Sequence, residues 1–153
     1  MARQSPPTIL FAEDSEDDRL LFELGFEERH TPFNLQFVED GVMATDYLCG
    51  KHPYDDREKY PAPFMLLTDL KMPRMDGLEL LSWIRSQPDW HALPVIVFTG
   101  SNRDEDRLKA LQAGATSYVV KDLLMRPPPS LIEALLRFAP GHRRRATSRI
   151  SHR

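Results

Sequence analysis

Five short apolar runs, separated by helical patterns, constrain the fold of this chain more than any other feature of the sequence. Large apolar residues dominate each run, as in strands that are buried on both faces of a sheet. The runs predict strands at residues 8–12, 35–39, 64–68, 94–99 and 117–120. Strands that alternate with helices indicate an α/β protein, with a doubly wound parallel sheet that is covered by helices on both faces.

The helical patterns between these strands carry start and stop signals. Ser15 opens the first helix, with Asp18 three residues later in a capping-box-like arrangement, and this helix runs to about Arg29. Gly114 follows the fourth helix as its C′ residue, and proline occupies the first turn of the fifth. The predicted helices cover residues 15–29, 42–48, 77–87, 104–113 and 128–138.

The candidate site residues follow the carboxyl ends of the predicted strands. Glu13 and Asp14 come directly after the first strand, and Asp69 follows the third, where the segment FMLLTDLKMPRMDG leaves the core. Thr99 ends the fourth strand, and Lys121 follows the fifth. Doubly wound sheets bind ligands at these ends, near the point where the strand order reverses. We therefore expect three carboxylates, one hydroxyl and one ammonium group to form a single cluster.

The chemistry of such a cluster favours a metal ion and phosphoryl transfer. Neighbouring carboxylates repel one another, and a single lysine cannot balance three of them, so Mg²⁺ is the expected cofactor. A carboxylate beside Mg²⁺ can attack a phosphoryl group in line and form an acyl phosphate, while a hydroxyl and an ammonium group neutralise the equatorial oxygens. Considered singly, Asp14 could be a helix cap, Thr99 the end of a strand and Lys121 a surface charge.

Four segments resemble the receiver domains of two-component response regulators, the CheY-like family. They are FAEDS (11–15), LLTDLKMPRMDG (66–77), LPVIVFTGS (93–101) and AGATSYVVKD (113–122), and the resemblance extends over about residues 8–139. It implies a flavodoxin-like fold with strand order 2-1-3-4-5. It also implies that a histidine kinase transfers a phosphoryl group to the protein, which then signals by a change of its own surface and not as an enzyme.

The resemblance implies a role for each candidate site residue. The phosphorylated residue would be Asp69. Magnesium would be bound by Glu13, Asp14, Asp69 and the backbone carbonyl of Lys71. Phosphoryl binding and switching would be the roles of Thr99, Tyr118 and Lys121.

Two features narrow this resemblance and one departs from it. The long loop CGKHPYDDREKYPAP (49–63) and the segment SNRDEDRLKAL after Thr99 are similar to those of stand-alone regulators that partner bacterial phytochrome histidine kinases. Asp122 stands where family members usually have a proline joined by a cis peptide. A cis bond to any other residue costs ~3 kcal/mol. The Lys121–Asp122 bond is therefore either trans or a site of strain.

The charge of the chain is divided between an acidic body and a basic end. The net charge is −3, but residues 141–153 carry five arginines and no acid. Residues 1–140 hold 15 basic and 23 acidic side chains, a net charge of −8. We predict an N-terminal extension (1–7), a receiver domain (8–139) and a basic tail (140–153) that is too short to form an output domain. The tail either is solvated or contacts nucleic acid or an acidic partner.

Composition also bears on location and assembly. The single cysteine, Cys49, excludes an internal disulfide and is typical of a cytoplasmic protein. No apolar run approaches the ~20 residues that span a bilayer, and the first ten residues lack the apolar stretch of a signal peptide. The fifth strand is expected at the sheet edge, and an apolar patch that includes Leu124 and Leu136 predicts a homodimer through the last two helices and this strand.

Two other functions compete with the signalling role. A Mg²⁺-dependent phosphohydrolase would also form an aspartyl phosphate, but enzymes of the haloacid dehalogenase type need an acid two residues after the nucleophile, where this chain has Lys71. A nucleic-acid-binding module would use the basic tail, and its affinity would fall steeply with salt.

Overall fold

Five parallel strands form one sheet in the order β2-β1-β3-β4-β5, so the predicted doubly wound α/β fold and its strand order are confirmed. The computed structural model describes residues 5–141, and the basic tail from residue 142 onwards lies outside the described residues. The strands are β1 (Thr8–Ala12), β2 (Asn34–Val38), β3 (Pro63–Thr68), β4 (Val95–Thr99) and β5 (Ser117–Val120).

Five helices connect the strands or follow them. They are α1 (Glu16–Glu28), α2 (Gly41–Cys49), α3 (Gly77–Ser86), α4 (Asp104–Gln112) and α5 (Pro129–Phe138). Every boundary of a helix or strand lies within one residue of its predicted position. Within residues 5–141, no helix has both the length and the apolar character that a membrane span requires.

The alternation of side chains along β1 shows how the sheet is covered on both faces. Every residue of this strand is buried. Leu10 and Ala12 belong to a core cluster shared with α2 and α3. Ile9 and Phe11 point to the other face, into a cluster shared with α1 and α5. There the ring of Phe11 meets that of Phe22 edge-on, with ring centroids 4.8 Å apart.

The helix α4 is held to the sheet by little apolar burial. Its one buried residue is Ala110, which contacts a small cluster that includes Tyr118 of β5. Leu108 and Leu111 of the same helix are 56% and 44% exposed. Because helices in proteins are stabilised mainly by the burial of an apolar face, α4 is the helix that can move at the lowest cost.

The long segment between α2 and β3 has no helix or strand but is ordered by contacts with α2. Arg57 donates hydrogen bonds to the carbonyl oxygens of Tyr47 (2.8 Å) and Leu48 (2.9 Å) in the last turn of the helix. The rings of Tyr54 and Tyr60 lie 5.0 and 5.9 Å from that of Tyr47. The N–H of Gly50 also donates to the carbonyl oxygen of Tyr47 at 3.1 Å, so the arginine adds to the hydrogen bonds that cap the end of α2.

The start of α3 lies directly against the backbone of Asp69. Asp76 caps this helix in a full capping box with Glu79, which the sequence analysis did not identify. The N–H of Gly77 donates to the carbonyl oxygen of Leu70 at 2.9 Å. A Cβ atom on Gly77 would lie 2.1 Å from the carbonyl oxygen of Asp69. Only glycine therefore allows α3 to begin at this distance from the candidate site.

We expect Gly77→Ala to lower the free energy of unfolding by about 2 kcal/mol or more, because the new methyl group meets fixed backbone atoms. Gly100→Ala is the matched control, since nothing lies within 4 Å of the position of its added Cβ. Urea unfolding of both variants measures the difference. Equal stabilities of the two variants would contradict the close approach of α3 to Asp69.

Candidate functional site

The hydrogen-bond ladder of the sheet continues one residue past the strands and delivers the candidate site residues to one edge. The N–H of Glu13 donates to the last carbonyl of β2 at 2.9 Å, and the N–H of Asp69 donates to the last carbonyl of β1 at 3.1 Å. The N–H of Lys121 donates to the carbonyl oxygen of Thr99 at 2.8 Å. Since parallel strands end on the same side, these side chains meet above the sheet.

Lys121 holds the centre of the cluster. Its Nζ lies 2.5 Å from Glu13 Oε2, 2.7 Å from Asp69 Oδ2 and 3.2 Å from Asp18 Oδ2. Only 8% of the lysine side chain is exposed. Its ammonium group therefore donates all three of its hydrogen bonds to carboxylates, and each of these bonds is charge-assisted.

Burial and charge act in opposite directions on these groups. Burial raises the pKa of Glu13 to about 7, although the hydrogen bond and charge of Lys121 oppose the change. Burial also disfavours the charged lysine, but the hydrogen bonds and charges of Asp69 and Glu13 outweigh it and raise the pKa of Lys121. The lysine therefore remains protonated while it joins the three carboxylates.

Asp18 is a member of the cluster that the sequence did not identify as a site residue. The predicted capping box is only half formed: Ser15 accepts a hydrogen bond from the N–H of Asp18 at 3.2 Å. The carboxylate of Asp18 points to Lys121, and the N–H of Ser15 donates to Glu13 Oε1 at 3.1 Å. A carboxylate one turn into a helix that starts at the sheet edge was the available signal.

The carboxylates form a group that can hold a metal ion. Oxygen atoms of Glu13, Asp14 and Asp69 all lie within 4.8 Å of one another. Glu13 is buried, Asp69 is half-buried and Asp14 is exposed, so the group opens to solvent on the side of Asp14. Three carboxylates with free access for water match the oxygen ligands and retained waters that Mg²⁺ prefers. The residues present therefore fit the predicted cofactor.

Asp69 is the carboxylate best placed to react. Its Oδ2 accepts from Lys121, and its Oδ1 accepts from the N–H of Leu70 at 2.7 Å. In contrast to Glu13, which is 1% exposed, the side chain of Asp69 is 14% exposed. It combines access from solvent, contact with the cationic lysine and membership of the group of three carboxylates that can hold a metal ion.

The loop between β3 and α3 carries Lys71 and is tied to the start of α2. Lys71 is exposed, and the metal contact of its carbonyl stays a prediction. Arg74 Nε donates to Asp40 Oδ2 at 2.8 Å, while Asp40 Oδ1 caps α2 by accepting from the N–H of Met43 at 2.8 Å. The N–H of Gly41 donates to the next residue of the loop, Met75, at 3.0 Å. One buried carboxylate thus joins two loops, a contact that no local pattern indicated.

Thr99 and Tyr118 meet at Ser101. Thr99 is buried, and its Oγ1 accepts from the N–H of Ser101 at 3.4 Å. The hydroxyl of Tyr118 donates to the carbonyl oxygen of Ser101 at 2.9 Å. Ser101 Oγ in turn donates to Asp106 of α4 at 2.5 Å. Ser101 therefore connects the candidate switch residues to α4, and the sequence did not single it out.

The peptide bond after Lys121 is trans, which resolves the alternative that the sequence left open. In residues 5–141 the one cis peptide bond joins His52 and Pro53. The loop that follows the lysine therefore begins with a trans peptide to Asp122, where the resemblance implied a cis proline.

Comparison with known protein families identifies the domain. Residues 9–135 match the response regulator receiver domain. The response regulator Rcp1 of Synechocystis is 28% identical over 133 residues, which cover 87% of this chain and 88% of Rcp1. A crystal structure of the Mn²⁺-bound form of Rcp1 superimposes with a TM-score of 0.69 at 29% identity and covers 87% of this chain and 94% of that one.

Two further solved structures are similar over most of their length. The response regulator RPA3017, in red light signalling of R. palustris, is 31% identical with a TM-score of 0.78, and the match covers 89% of this chain and 95% of that one. The bacteriophytochrome response regulator RtBRR is 30% identical with a TM-score of 0.67, over 86% of this chain and 90% of its own. With the sheet order and the matched residues 9–135, these likenesses establish that the chain belongs to the response regulator receiver domain family.

Proposed function

We propose that this protein is a response regulator that accepts a phosphoryl group on Asp69 from a histidine kinase. The observation that carries the proposal is the partly exposed Asp69, held 2.7 Å from the ammonium group of Lys121 within a group of three carboxylates. The receiver domain would comprise residues 8–139. The transfer is stoichiometric, so the protein acts as a switch and not as a turnover enzyme.

The proposed transfer uses the chain's own residues in defined roles. Glu13, Asp14, Asp69 and the carbonyl of Lys71 would hold Mg²⁺, which would supply positive charge for the phosphoryl oxygens. An oxygen of Asp69 forms a bond to phosphorus as the bond between phosphorus and the imidazole nitrogen of the kinase breaks, and the imidazole keeps that electron pair. Lys121 exchanges carboxylate contacts for phosphoryl oxygens. The positive charge of Lys121, already held beside Asp69, stabilises the negative charge of the transition state.

Thr99 would pass the change from Asp69 to the surface. A phosphoryl group on Asp69 would offer the hydroxyl of Thr99 a stronger acceptor than any neutral group. If the Thr99 side chain turns towards the phosphoryl group, its Oγ1 loses the hydrogen bond from the N–H of Ser101. Ser101 is hydrogen-bonded to Tyr118 of β5 and to Asp106 of α4, so a movement of Ser101 would change contacts in both elements. The weakly anchored α4 is the element that such a movement can shift.

The proposed donor is a kinase of the bacteriophytochrome type in the cytoplasm. Two of the similar structures support it, since one regulator acts in red light signalling and the other is a bacteriophytochrome response regulator. The free and exposed Cys49 fits a reducing compartment. The phosphohydrolase alternative needs a second acid at the position that Lys71 occupies. The arginines of the tail that would bind nucleic acid lie outside residues 5–141.

Asp69→Asn should abolish the gain of one phosphoryl group that the wild-type protein shows with Mg²⁺ and an autophosphorylated bacteriophytochrome kinase. The amide is nearly the same size but is not a nucleophile, so the fold should be retained. Intact mass spectrometry measures the gain, and Asp89→Asn, at an exposed site between α3 and β4, is the control. Persistent labelling of Asp69→Asn would refute the assignment.

Added Mg²⁺ should raise the melting temperature by several degrees, because a ligand at 100 times its Kd stabilises the native state by about 2.7 kcal/mol. Asp14→Ala should lose this response, even if relief of repulsion stabilises its metal-free form. Asp17→Ala, which removes a neighbouring exposed acid outside the carboxylate group, should keep it. A full response in Asp14→Ala would count against the metal site.

The protein should form a symmetric homodimer at micromolar concentration through α4, β5 and α5, because this face exposes Leu111 (44%), Leu124 (54%) and Leu136 (40%). Light scattering should give twice the monomer mass. Leu136→Glu should return the monomer, whereas Leu20→Glu on the outer face of α1 should not. A monomer in the wild type, with and without a phosphoryl mimic, would contradict this interface.

A further inference from the structure

The carboxylate of Asp122 organises the loop between β5 and α5, directly after Lys121. Its Oδ1 accepts from the backbone N–H groups of Leu124 and Arg126, each at 3.0 Å, and its Oδ2 accepts from Arg126 Nε at 3.1 Å. The N–H of Met125 donates to the carbonyl oxygen of Asp122 at 3.1 Å. The backbone hydrogen bond from Arg126 is the main reason that the pKa of Asp122 is lowered. One residue thus accepts hydrogen bonds from three of the residues that follow it.

The far side of this loop is fixed in the core. Met125 has a φ of 55°, in the left-handed region that side chains disfavour, yet only 2% of it is exposed. Its side chain lies in the core cluster that contains Phe22 and Leu131. Such a backbone conformation is strained and persists only where the surroundings stabilise it. The hydrogen bonds of Asp122 supply that stabilisation, since they close the turn in which Met125 lies.

Resting on the proposed function, we infer that Asp122 is a positioning residue for Lys121. The lysine backbone is held on one side by its N–H bond to the carbonyl of Thr99 and on the other by the turn that Asp122 closes. A lysine side chain is flexible, and holding its ammonium group in one place costs conformational entropy. A fixed backbone on both sides keeps the ammonium group on the carboxylates, where the phosphoryl group would bind.

This arrangement restricts the backbone after Lys121 without a proline. Proline restricts the backbone covalently, whereas Asp122 restricts it through acceptors on a trans peptide. The restriction therefore depends on the carboxylate oxygens and their donors. Removing the acceptors should release the loop without removing any group from the phosphorylation site itself.

The test compares Asp122→Ala and Asp122→Asn with Asp89→Ala, which removes an exposed carboxylate between α3 and β4. In ¹H–¹⁵N spectra, the Lys121 Nζ signal is identified by its loss in Lys121→Ala. We expect it in the wild type and in Asp89→Ala, and we expect it to broaden beyond detection in Asp122→Ala as the ammonium group exchanges with water. With acetyl phosphate and saturating Mg²⁺, the phosphorylation rate constant of Asp122→Ala should fall about tenfold, less than the ~100-fold cost of a displacement of one ångström.

Further readouts separate positioning from a general loss of structure. The Mg²⁺ concentration that gives half of the melting response should change by less than about twofold in Asp122→Ala, because Asp122 lies outside the metal-binding group. Asp122→Asn keeps an acceptor for the backbone N–H groups, so its phosphorylation rate constant should fall only about threefold. If Asp122→Ala does not fold, the Nζ signal and the rate of Asp122→Asn test the positioning role. An unchanged Lys121 Nζ signal in folded Asp122→Ala would overturn the inference, even if the phosphorylation rate falls. A wild-type protein that takes up no phosphoryl group contradicts the proposed function, and the Nζ signal then still tests the positioning role.

Discussion

The contact of one lysine with three carboxylates is the interaction on which the rest of the site depends. Lys121 brings together Glu13 from the end of β1, Asp18 from α1 and Asp69 from the end of β3. Without the ammonium group, these acids would repel one another at a partly buried edge of the sheet. The edge strand β5 brings the lysine to this point, so the contact between Lys121 and the three acids depends on the order of the strands in the sheet.

The sequence was sufficient to predict the fold and the location of the site because both follow from local patterns. Apolar runs define strands, strands of a parallel sheet end on one side, and polar residues at those ends must meet. These patterns predict from the sequence alone that Glu13, Asp14, Asp69, Thr99 and Lys121 lie at one edge of the sheet. Their roles in phosphorylation and metal binding remain predictions that the experiments above address.

The residues that sequence reasoning missed are those whose partners lie far along the chain. The direction of the Asp18 carboxylate depends on Lys121, 103 residues away, and Asp40 faces Arg74, 34 residues away. Ser101 carries no distinctive motif, and only the fold brings it next to Tyr118. A capping pattern states which residue can cap a helix, but the competition between a backbone N–H and a distant ammonium group is decided by tertiary structure.

The single buried residue of α4 has a consequence for how the stability of the domain is distributed. The interior strands β1, β3 and β4 open only with the whole domain, because their side chains form the core on both faces. The amides of α4 are released by a local opening that costs far less free energy, since little apolar surface is exposed with it. The proposed phosphorylation of Asp69 would therefore need only a modest free energy to redistribute the population of α4 conformers, while the folded fraction of the protein stays the same.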